Sequence, residues 1–559
     1  MRLIGLATLS IAVAGCAPTG TRPEAARPQP GEVADVILVN GKVVTVDDRF
    51  TVAQALAIKG SRIVAVGSTA DIRNHAGGNT RVIDLQGRTV IPGLIDGHSH
   101  WVRAAEHDEL RFDGVTTRAA SLKMLADRVR SARPGEWIAA LGGWSEQQFT
   151  DEQRGFPLEE LDRIAPANPV LLQAVYIHAY LNTAALKAAG IDEKTPNPPN
   201  GTIEKDANGK PTGVVRGAGG VAFVASKIPL RDAEAWLANT RKYVTHLNSM
   251  GITGWLDAGG RGMTARHYAP YQYLAERGEL NARVYWTTIR QPATPAQVDK
   301  VLPEIQALKP FQGNDYFDHV GWGETVYAPV TTQLLRKASN LKPDDFAQAR
   351  RVAQALAERG IYLNAHVEMT DAIDAFLDMY ESINKEKPIK GLRWSFSHLD
   401  QVTPQQLERM KRLGMNAQIH TRPLIQGVLM HRVHGDKAWT MPPFRMIQDS
   451  GILWGLGSDA TAVTTSNPFY NLSFAVTGKM VGGHHVNKQT ITREEALIAH
   501  TRSNAIIVFQ ESNLGSIQKG RYADLLVLDR DYLMVPEDAI KDLKPVMTMV
   551  GGRVVYEAK

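Results

Sequence analysis

Between residues 94 and 459, short apolar runs recur at intervals long enough to hold a helix. Leu94–His100, Ile252–Asp257, Arg283–Thr288, Val320–Thr325, Ile361–His366, Arg393–His398, Met415–His420 and Ile452–Asp459 each read as a strand. The stretches between them carry helical spacing. Phe346–Arg359 stops at Gly360 and Pro404–Leu413 stops at Gly414, each just before the next apolar run. Strand and helix alternating eight times predict a parallel α/β fold, a (β/α)8 TIM barrel. The gap between the first two strands is too long for one helix, which predicts an insertion at about 134–225.

The chain ends have a different rhythm. D-V-I-L-V-N-G-K-V-V-T-V-D-D and A-L-A-I-K-G-S-R-I-V-A-V-G near the start read as short strands joined by N-G and K-G-S turns. A-D-L-L-V-L-D-R-D and P-V-M-T-M-V-G-G-R-V-V-Y-E near the end read alike. Neither half has enough strands for a stable sheet alone. Segments 33–91 and 505–559 are therefore expected to form one small β-sandwich domain, with the barrel over 92–504.

The first residues obey a third pattern. M-R-L-I-G-L-A-T-L-S-I-A-V-A-G-C has one charge, an uncharged run and small residues before Cys16, which reads as an export signal over 1–15. Val13-Ala14-Gly15-Cys16 resembles the lipobox of bacterial lipoproteins, which implies lipidation on Cys16, the only cysteine. An ordinary secretory signal with a chance cysteine is the other reading. Ala17, where an aspartate would retain the protein, implies the outer membrane, facing the periplasm. Residues 16–32 are a Pro-rich tether.

Composition adds exclusions. At 559 residues with 43% hydrophobic and 22% charged, the chain is a folded protein too long for one core. A net charge of +5 without a basic, aromatic-laced cluster gives no case for nucleic acid. No apolar stretch beyond the first fifteen residues is long enough to span a bilayer, so the lipid anchor is the expected membrane link. A small molecule is the expected partner, and composition does not decide between a monomer and a homo-oligomer.

The chemistry sits where the runs end. V-I-P-G-L-I-D-G-H-S-H places His98 and His100 two apart on one strand, so both side chains face the same way. H-x-H alone is a weak signal, and an isolated histidine is as readily a core or surface residue. Recurrence strengthens it: His366 ends Y-L-N-A-H, His398 ends R-W-S-F-S-H and Asp459 ends L-W-G-L-G-S-D. The C-terminal strand ends form the active-site face of such a barrel. Imidazoles plus a carboxylate suit catalytic zinc or a similar divalent ion. Asp96 reads equally as a contact behind the ligands or as a turn-forming residue before Gly97.

P-G-L-I-D-G-H-S-H at 92–100, His366, His398, G-S-D-A at 457–460 and G-S-I-Q-K-G-R-Y-A-D-L-L-V-L-D at 515–529 resemble the metal-dependent amidohydrolase superfamily. G-G-W-S-E-Q-Q-F at 142–149, L-D-R-I-A-P-A-N-P-V at 161–170 and N-G-K-P-T-G-V-V at 208–215 resemble its family 3 branch, which includes N-substituted formamide deformylase-like proteins. The resemblance spans 33–559. It implies that His98 and His100 bind one metal, that His366 and His398 complete a second site or contact the hydrated ion, and that Asp459 touches metal and takes a proton from its water. One or two Zn2+ ions are implied.

Two departures from the branch stand out. Where relatives carry a bridging lysine, this chain has H-V-G-W-G-E-T-V-Y, making Glu324 a direct bridging ligand or a polar pocket residue. Where relatives have G-D after the strand-five histidine, this chain has V-E-M-T-D-A-I, so Glu368 and Asp371 shape the pocket or cap a helix. His178 falls where the branch places a histidine beside substrate, or is simply packed. Trp144 lines the pocket or fills the insertion's core. His420 and Arg422 follow strand seven and could hold a substrate carbonyl or carboxylate. His484 and His485 read as an exposed loop. The expected function is metal-dependent hydrolysis of non-peptide C–N bonds. The alternatives are a deaminase, cyclic-amide hydrolase or dipeptidase on the same fold, and, from another class, a non-catalytic solute-binding lipoprotein.

Overall fold

The computed structural model describes residues 32–260, 263–336, 339 and 341–559. The export signal, Cys16 and the tether to residue 31 lie outside the described residues. Eight parallel strands form the central sheet: β1 (Leu94–Ser99), β2 (Ile252–Asp257), β3 (Arg283–Thr288), β4 (Phe317–Trp322), β5 (Tyr362–Val367), β6 (Ser395–His398), β7 (Asn416–His420) and β8 (Trp454–Gly457). They neighbour one another in chain order, as a barrel requires. The seam between the first and last strands is joined by backbone bonds: Asp459 N–H donates to His98 (2.8 Å) and His100 N–H donates to Ala460 (2.7 Å).

β2 and β3 occupy the spans expected from the sequence, and most of the others differ by a residue or two at their ends. β4 is the exception. It starts at Phe317, three residues before the expected Val320, and ends at Trp322, so Glu324 stands on the loop beyond it. The start was hidden because Asp318 and His319 look like loop residues. Both are satisfied locally: Asp318 accepts from Gly313 N–H at 2.8 Å, and His319 Nε2 pairs with the Thr288 hydroxyl at 2.9 Å.

The connecting helices follow their local signals. Pro404–Leu413 begins at Thr403, whose hydroxyl and Gln406 form a capping box, and ends at Gly414 with φ 69°. The helix before β5 runs Pro343–Glu358, earlier than its apolar periodicity suggested, because Pro343 pre-sets its first turn and Asp344 and Asp345 favour its N-terminus. Among the described residues no helix is long and apolar enough to cross a membrane.

A four-stranded sheet from Ala34 to Asp84 faces a six-stranded one that takes three strands from each chain end. Leu38, Leu56 and Ile58 of the first meet Val43, Val90, Leu525 and Met549 of the second in one buried cluster. Thr89–Pro92 of the six-stranded sheet runs almost directly into β1, so this β layer anchors the strand that carries both histidines. Arg283 at the start of β3 adds a buried tie, donating to Asp524 through Nε (2.7 Å) and Nη2 (2.9 Å). Between β1 and β2 the insertion builds its own five-stranded sheet, ordered Thr202–Lys205, Pro211–Arg216, His178–Leu181, Val170–Ala174, Ile138–Leu141.

Candidate metal centre

Strand alternation and the barrel's closure bring four histidines and two carboxylates to one point. His98 and His100 leave β1 with ring centroids 5.3 Å apart. Glu324 reaches the same point from the loop after β4. Trp322 positions that loop by donating its indole N–H to the Thr325 carbonyl (3.0 Å), and His366 N–H donates to the Glu324 carbonyl (2.9 Å). Glu324 Oε2 then lies 3.1 Å from His366 Nδ1, 3.4 Å from His398 Nε2 and 3.5 Å from His98 Nε2. Its other oxygen lies 3.7 Å from His100 Nε2. Asp459 faces it across the cluster, with Oδ1 3.1 Å from His100 Nε2 and 3.8 Å from His98 Nε2.

Separations of 3.1–3.8 Å are what donors to a shared ion adopt when each stands about 2.0–2.2 Å from it. His98 Nε2 is buried without a hydrogen-bond partner, as is His398 Nδ1, whereas His366 turns Nδ1 to Glu324 and Nε2 to Glu368, 3.4 Å away. The ligand atoms of His98, His100 and Asp459 lie within 4.8 Å of one another, as do those of His98, Glu324 and His398. A third such group is His398, His420 and Asp459. The residues present therefore fit a divalent ion. His398 and Asp459 also sit in the left-handed region, at φ 81° and 60°, which non-glycine residues rarely adopt and which clusters at functional sites.

Electrostatics separate the histidines into two kinds. Burial pushes His98 down to about 4 and His398 well below the ordinary imidazole value, the latter helped by the neighbouring His366, His420 and Arg422. Both are neutral and able to offer a lone pair. Burial also disfavours charge on His100 and His366, but the carboxylates facing them dominate and raise both to about 10. Burial opposes ionisation of Glu324 as well, yet His366 and its neighbours hold it down at about 2. Asp459 falls well below the carboxylate range, because the His100 bond and the Arg422 charge outweigh its burial.

The remaining candidates distribute unevenly. Arg422 is not free for a substrate group: it is buried, ion-paired to Glu368 through Nη1 and to Asp459 Oδ2 through Nη2 at 3.0 Å. His420 is fully buried rather than at the mouth, with Nδ1 accepting from Arg422 N–H (3.1 Å) and Nε2 3.6 Å from Asp400. Trp144 fills the insertion's core, packed among Phe112, Phe149 and Phe156 with no exposed surface. His178 is half-buried, its Nε2 2.6 Å from Glu146, whose carboxylate also accepts from the Tyr180 hydroxyl (2.7 Å). Asp96 accepts from the backbone N–H groups of His98 (3.0 Å) and Ser458 (3.1 Å), stapling β1 to the segment that carries Asp459. Burial raises it to about 7. Asp371 stays at the start of Thr370–Glu386, and His484 and His485 are exposed.

Glu368 was expected from sequence to shape the pocket or cap a helix; Asp400 and Asp257 were not singled out there. Glu368 is 1% exposed and links Arg422 to His366, whose Nε2 is 3.4 Å away. Asp400 is fully buried with neither oxygen hydrogen-bonded. Its only sequence signal was its place two residues after His398. Asp257 receives Val102 N–H (2.9 Å) and the Tyr268 hydroxyl (2.9 Å), fixing the turn after His100.

A family model described as "Amidohydrolase family" matches residues 81–556. An N-substituted formamide deformylase of Arthrobacter pascens is 27% identical over 548 residues, spanning 94% of this chain and 99% of that one. Among solved structures, an uncharacterized metal-dependent hydrolase from Pyrococcus horikoshii superposes with a TM-score of 0.64 at 20% identity, covering 90% of this chain and 99% of that one. Atrazine chlorohydrolase TrzN from Arthrobacter aurescens, solved with zinc, gives 0.53 at 16% identity over 93% and 95% of the two chains.

Proposed function

The chain belongs to the amidohydrolase family, and from that premise we propose that it hydrolyses an amide-type C–N bond of a small molecule with a water activated by two divalent ions, zinc by the character of the donors. The observation that carries this reading is the position of Glu324 Oε2, 3.1–3.5 Å from three histidine nitrogens on three different strands, with Asp459 opposite. Imidazole and carboxylate donors favour zinc among the hydrolytic ions. The donor set supports two ions: the ligand atoms of His98, His100 and Asp459 form one close group, and those of His98, Glu324 and His398 another, each within 4.8 Å of one another.

His98, His100, Glu324, His366, His398 and Asp459 would hold the ions. An ion bound there lowers the pKa of water toward neutrality and polarises a scissile carbonyl. The side chains do the rest. Arg422 occupies Asp459 Oδ2, so Oδ1 is the oxygen that accepts the water's proton and delivers it to the leaving nitrogen. His100 and His366, raised by the facing carboxylates, would give up their protons to hold an ion. His178, oriented by Glu146 and Tyr180, keeps Nδ1 unpaired for a substrate group. An N-substituted formamide, the substrate class in the relative's name, is the first compound to try. Cyclic amides, amino-heterocycles and dipeptides complete the panel.

The test is metal content of the purified chain beside Glu324→Ala. Two ions per chain falling to one or none is expected. One ion in both would make Glu324 a pocket residue. No metal in the wild type, even after zinc or manganese is supplied, would sink the hydrolase reading and revive the solute-binding alternative. We further propose export and lipidation at Cys16, supported by the uncharged run and the Val13–Cys16 sequence. A mature chain starting elsewhere in mass spectrometry removes that proposal.

A further inference from the structure

Beneath the ligands, six buried polar side chains form one unbroken chain of hydrogen bonds. Tyr362 and Ser395, at the starts of β5 and β6, have their oxygens 2.8 Å apart. Gln418 of β7 donates Nε2 to both, at 2.5 Å to Tyr362 and 3.2 Å to Ser395. Its Oε1 accepts from Asn364 Nδ2 at 2.8 Å. Asn364 Oδ1 accepts from the Ser397 hydroxyl at 2.5 Å, and Ser397 Oγ lies 3.1 Å from His98 Nδ1. All six residues are at most 3% exposed.

Such a chain has two polarities, and hydrogen counting chooses between them. With the Gln418 amide as observed, its two hydrogens serve Tyr362 and Ser395, and one hydroxyl hydrogen serves the contact between those two oxygens. Every edge of that triangle holds a hydrogen. Reversed, both hydroxyls would have to donate to the Gln418 oxygen. The Tyr362–Ser395 contact would then press two oxygens together with nothing between them. The triangle therefore fixes Gln418, which fixes Asn364, whose oxygen takes the Ser397 hydrogen. Ser397 Oγ is left as an acceptor, so the proton of neutral His98 sits on Nδ1 and its lone pair on Nε2. Nε2 is the nitrogen that faces Glu324 and Asp459. Asn364 Nδ2 also approaches Nδ1, but at 3.4 Å it is too far for a strong bond.

We propose that the Tyr362–Ser395–Gln418 triangle, acting through Asn364 and Ser397, sets the tautomer of His98 and so makes it a metal ligand. This rests on the metal-dependent reading above. Reversal would put a hydrogen on Nε2 and close that position to an ion. These are positioning residues: none touches substrate, and partners behind a ligating histidine are generally worth about 10–100-fold in metal affinity.

The test is zinc affinity, measured by competition with a chromophoric chelator, on wild type, Tyr362→Phe, Gln418→Met, Ser397→Ala and Ser397→Thr. Ser397→Ala is expected to bind zinc about 10–100-fold more weakly, and Ser397→Thr, which keeps the hydroxyl, to recover most of that loss. Tyr362→Phe and Gln418→Met should also weaken binding although they lie two or more links from the ion. Thermal melts in chelator identify folded variants, and if Gln418→Met fails to fold, Tyr362→Phe decides. Wild-type affinity in folded Tyr362→Phe overturns the proposal while leaving the metal centre intact. A wild type that binds no zinc overturns the functional reading instead.

Discussion

Arg422 holds Asp459 by one oxygen and leaves the other to the histidines: Nη2 is 3.0 Å from Oδ2, while Oδ1 is 3.1 Å from His100 Nε2. The same guanidinium pairs with Glu368, which in turn faces His366. Three carboxylate-bearing or cationic groups on separate strand ends thus orient one another around the ligands. Arg422→Met removes the charge and keeps much of the volume. Asp459 would lose its fixed orientation and Glu368 its counter-charge. Activity is expected to fall about 10–100-fold with metal content retained. The metal-stripped chain should lose about 3–5 kcal/mol, read from chemical denaturation in chelator. Unchanged activity would show that Asp459 needs no orientation from Arg422.

That arrangement could not be read in advance, because Arg422 meets partners 54 and 37 residues away along the chain. What sequence did reveal obeys local rules. β2 and β3 were legible from apolar runs bounded by turn residues, and His98, His100, His366, His398 and Asp459 from their places at strand ends. Glu324 was visible only through family resemblance, since its loop position depends on where β4 starts. Asp400, Gln418 and Ser397 gave almost no signal. A buried polar residue in an apolar strand is conspicuous only once its partners on neighbouring strands are known.

Removing metal should invert the pH dependence of stability. His100 and His366 are raised to about 10 in the folded, metal-free chain. Their contribution is complete below the ordinary 6.5 and is lost as pH rises toward 10. His98, lowered to about 4, and His398, lowered further, act oppositely: the unfolded chain binds their protons first, so stability falls as pH drops below 6.5. Glu324 and Glu368, lowered to about 2, add a loss only at strongly acid pH. The stripped chain should be most stable near pH 6.5 and decline on both sides. Metal held by His100 and His366 would displace these two protons, so a loaded chain should keep gaining through pH 8. Parallel Tm–pH curves for the two forms would show that no ion enters this cluster.

Trp144 separates a packing role from a substrate role. Its ring lies 5.5 Å from Phe112, 5.9 Å from Phe149 and 5.6 Å from Phe156, with no exposed surface. Trp144→Ala is expected to destabilise by about 3–5 kcal/mol. KM of the folded fraction should stay close to that of the wild type, since Trp144 is enclosed in the insertion's own aromatic cluster. A large KM change at near-normal stability would return Trp144 to the pocket.

Gly97, between the two strand residues Asp96 and His98, is required by space. A Cβ there would stand 2.3 Å from Asn504 Oδ1. Asn504 cannot withdraw cheaply, because its Nδ2 donates to the carbonyls of Ile95 (2.6 Å) and Leu456 (2.7 Å), bridging β1 to β8. Gly97→Ala must therefore move either the seam or the strand that carries His98. The expected cost is roughly 1–3 kcal/mol, as for other overpacked sites, with weakened metal retention because the ligand moves with its strand. Asn504→Ala opens the space but loses both bridging bonds, so it destabilises by itself. In that background Gly97→Ala should cost clearly less than in the wild type, a coupling that denaturation of the four proteins measures. Strict additivity would mean that the glycine answers to backbone conformation and not to the side chain facing it.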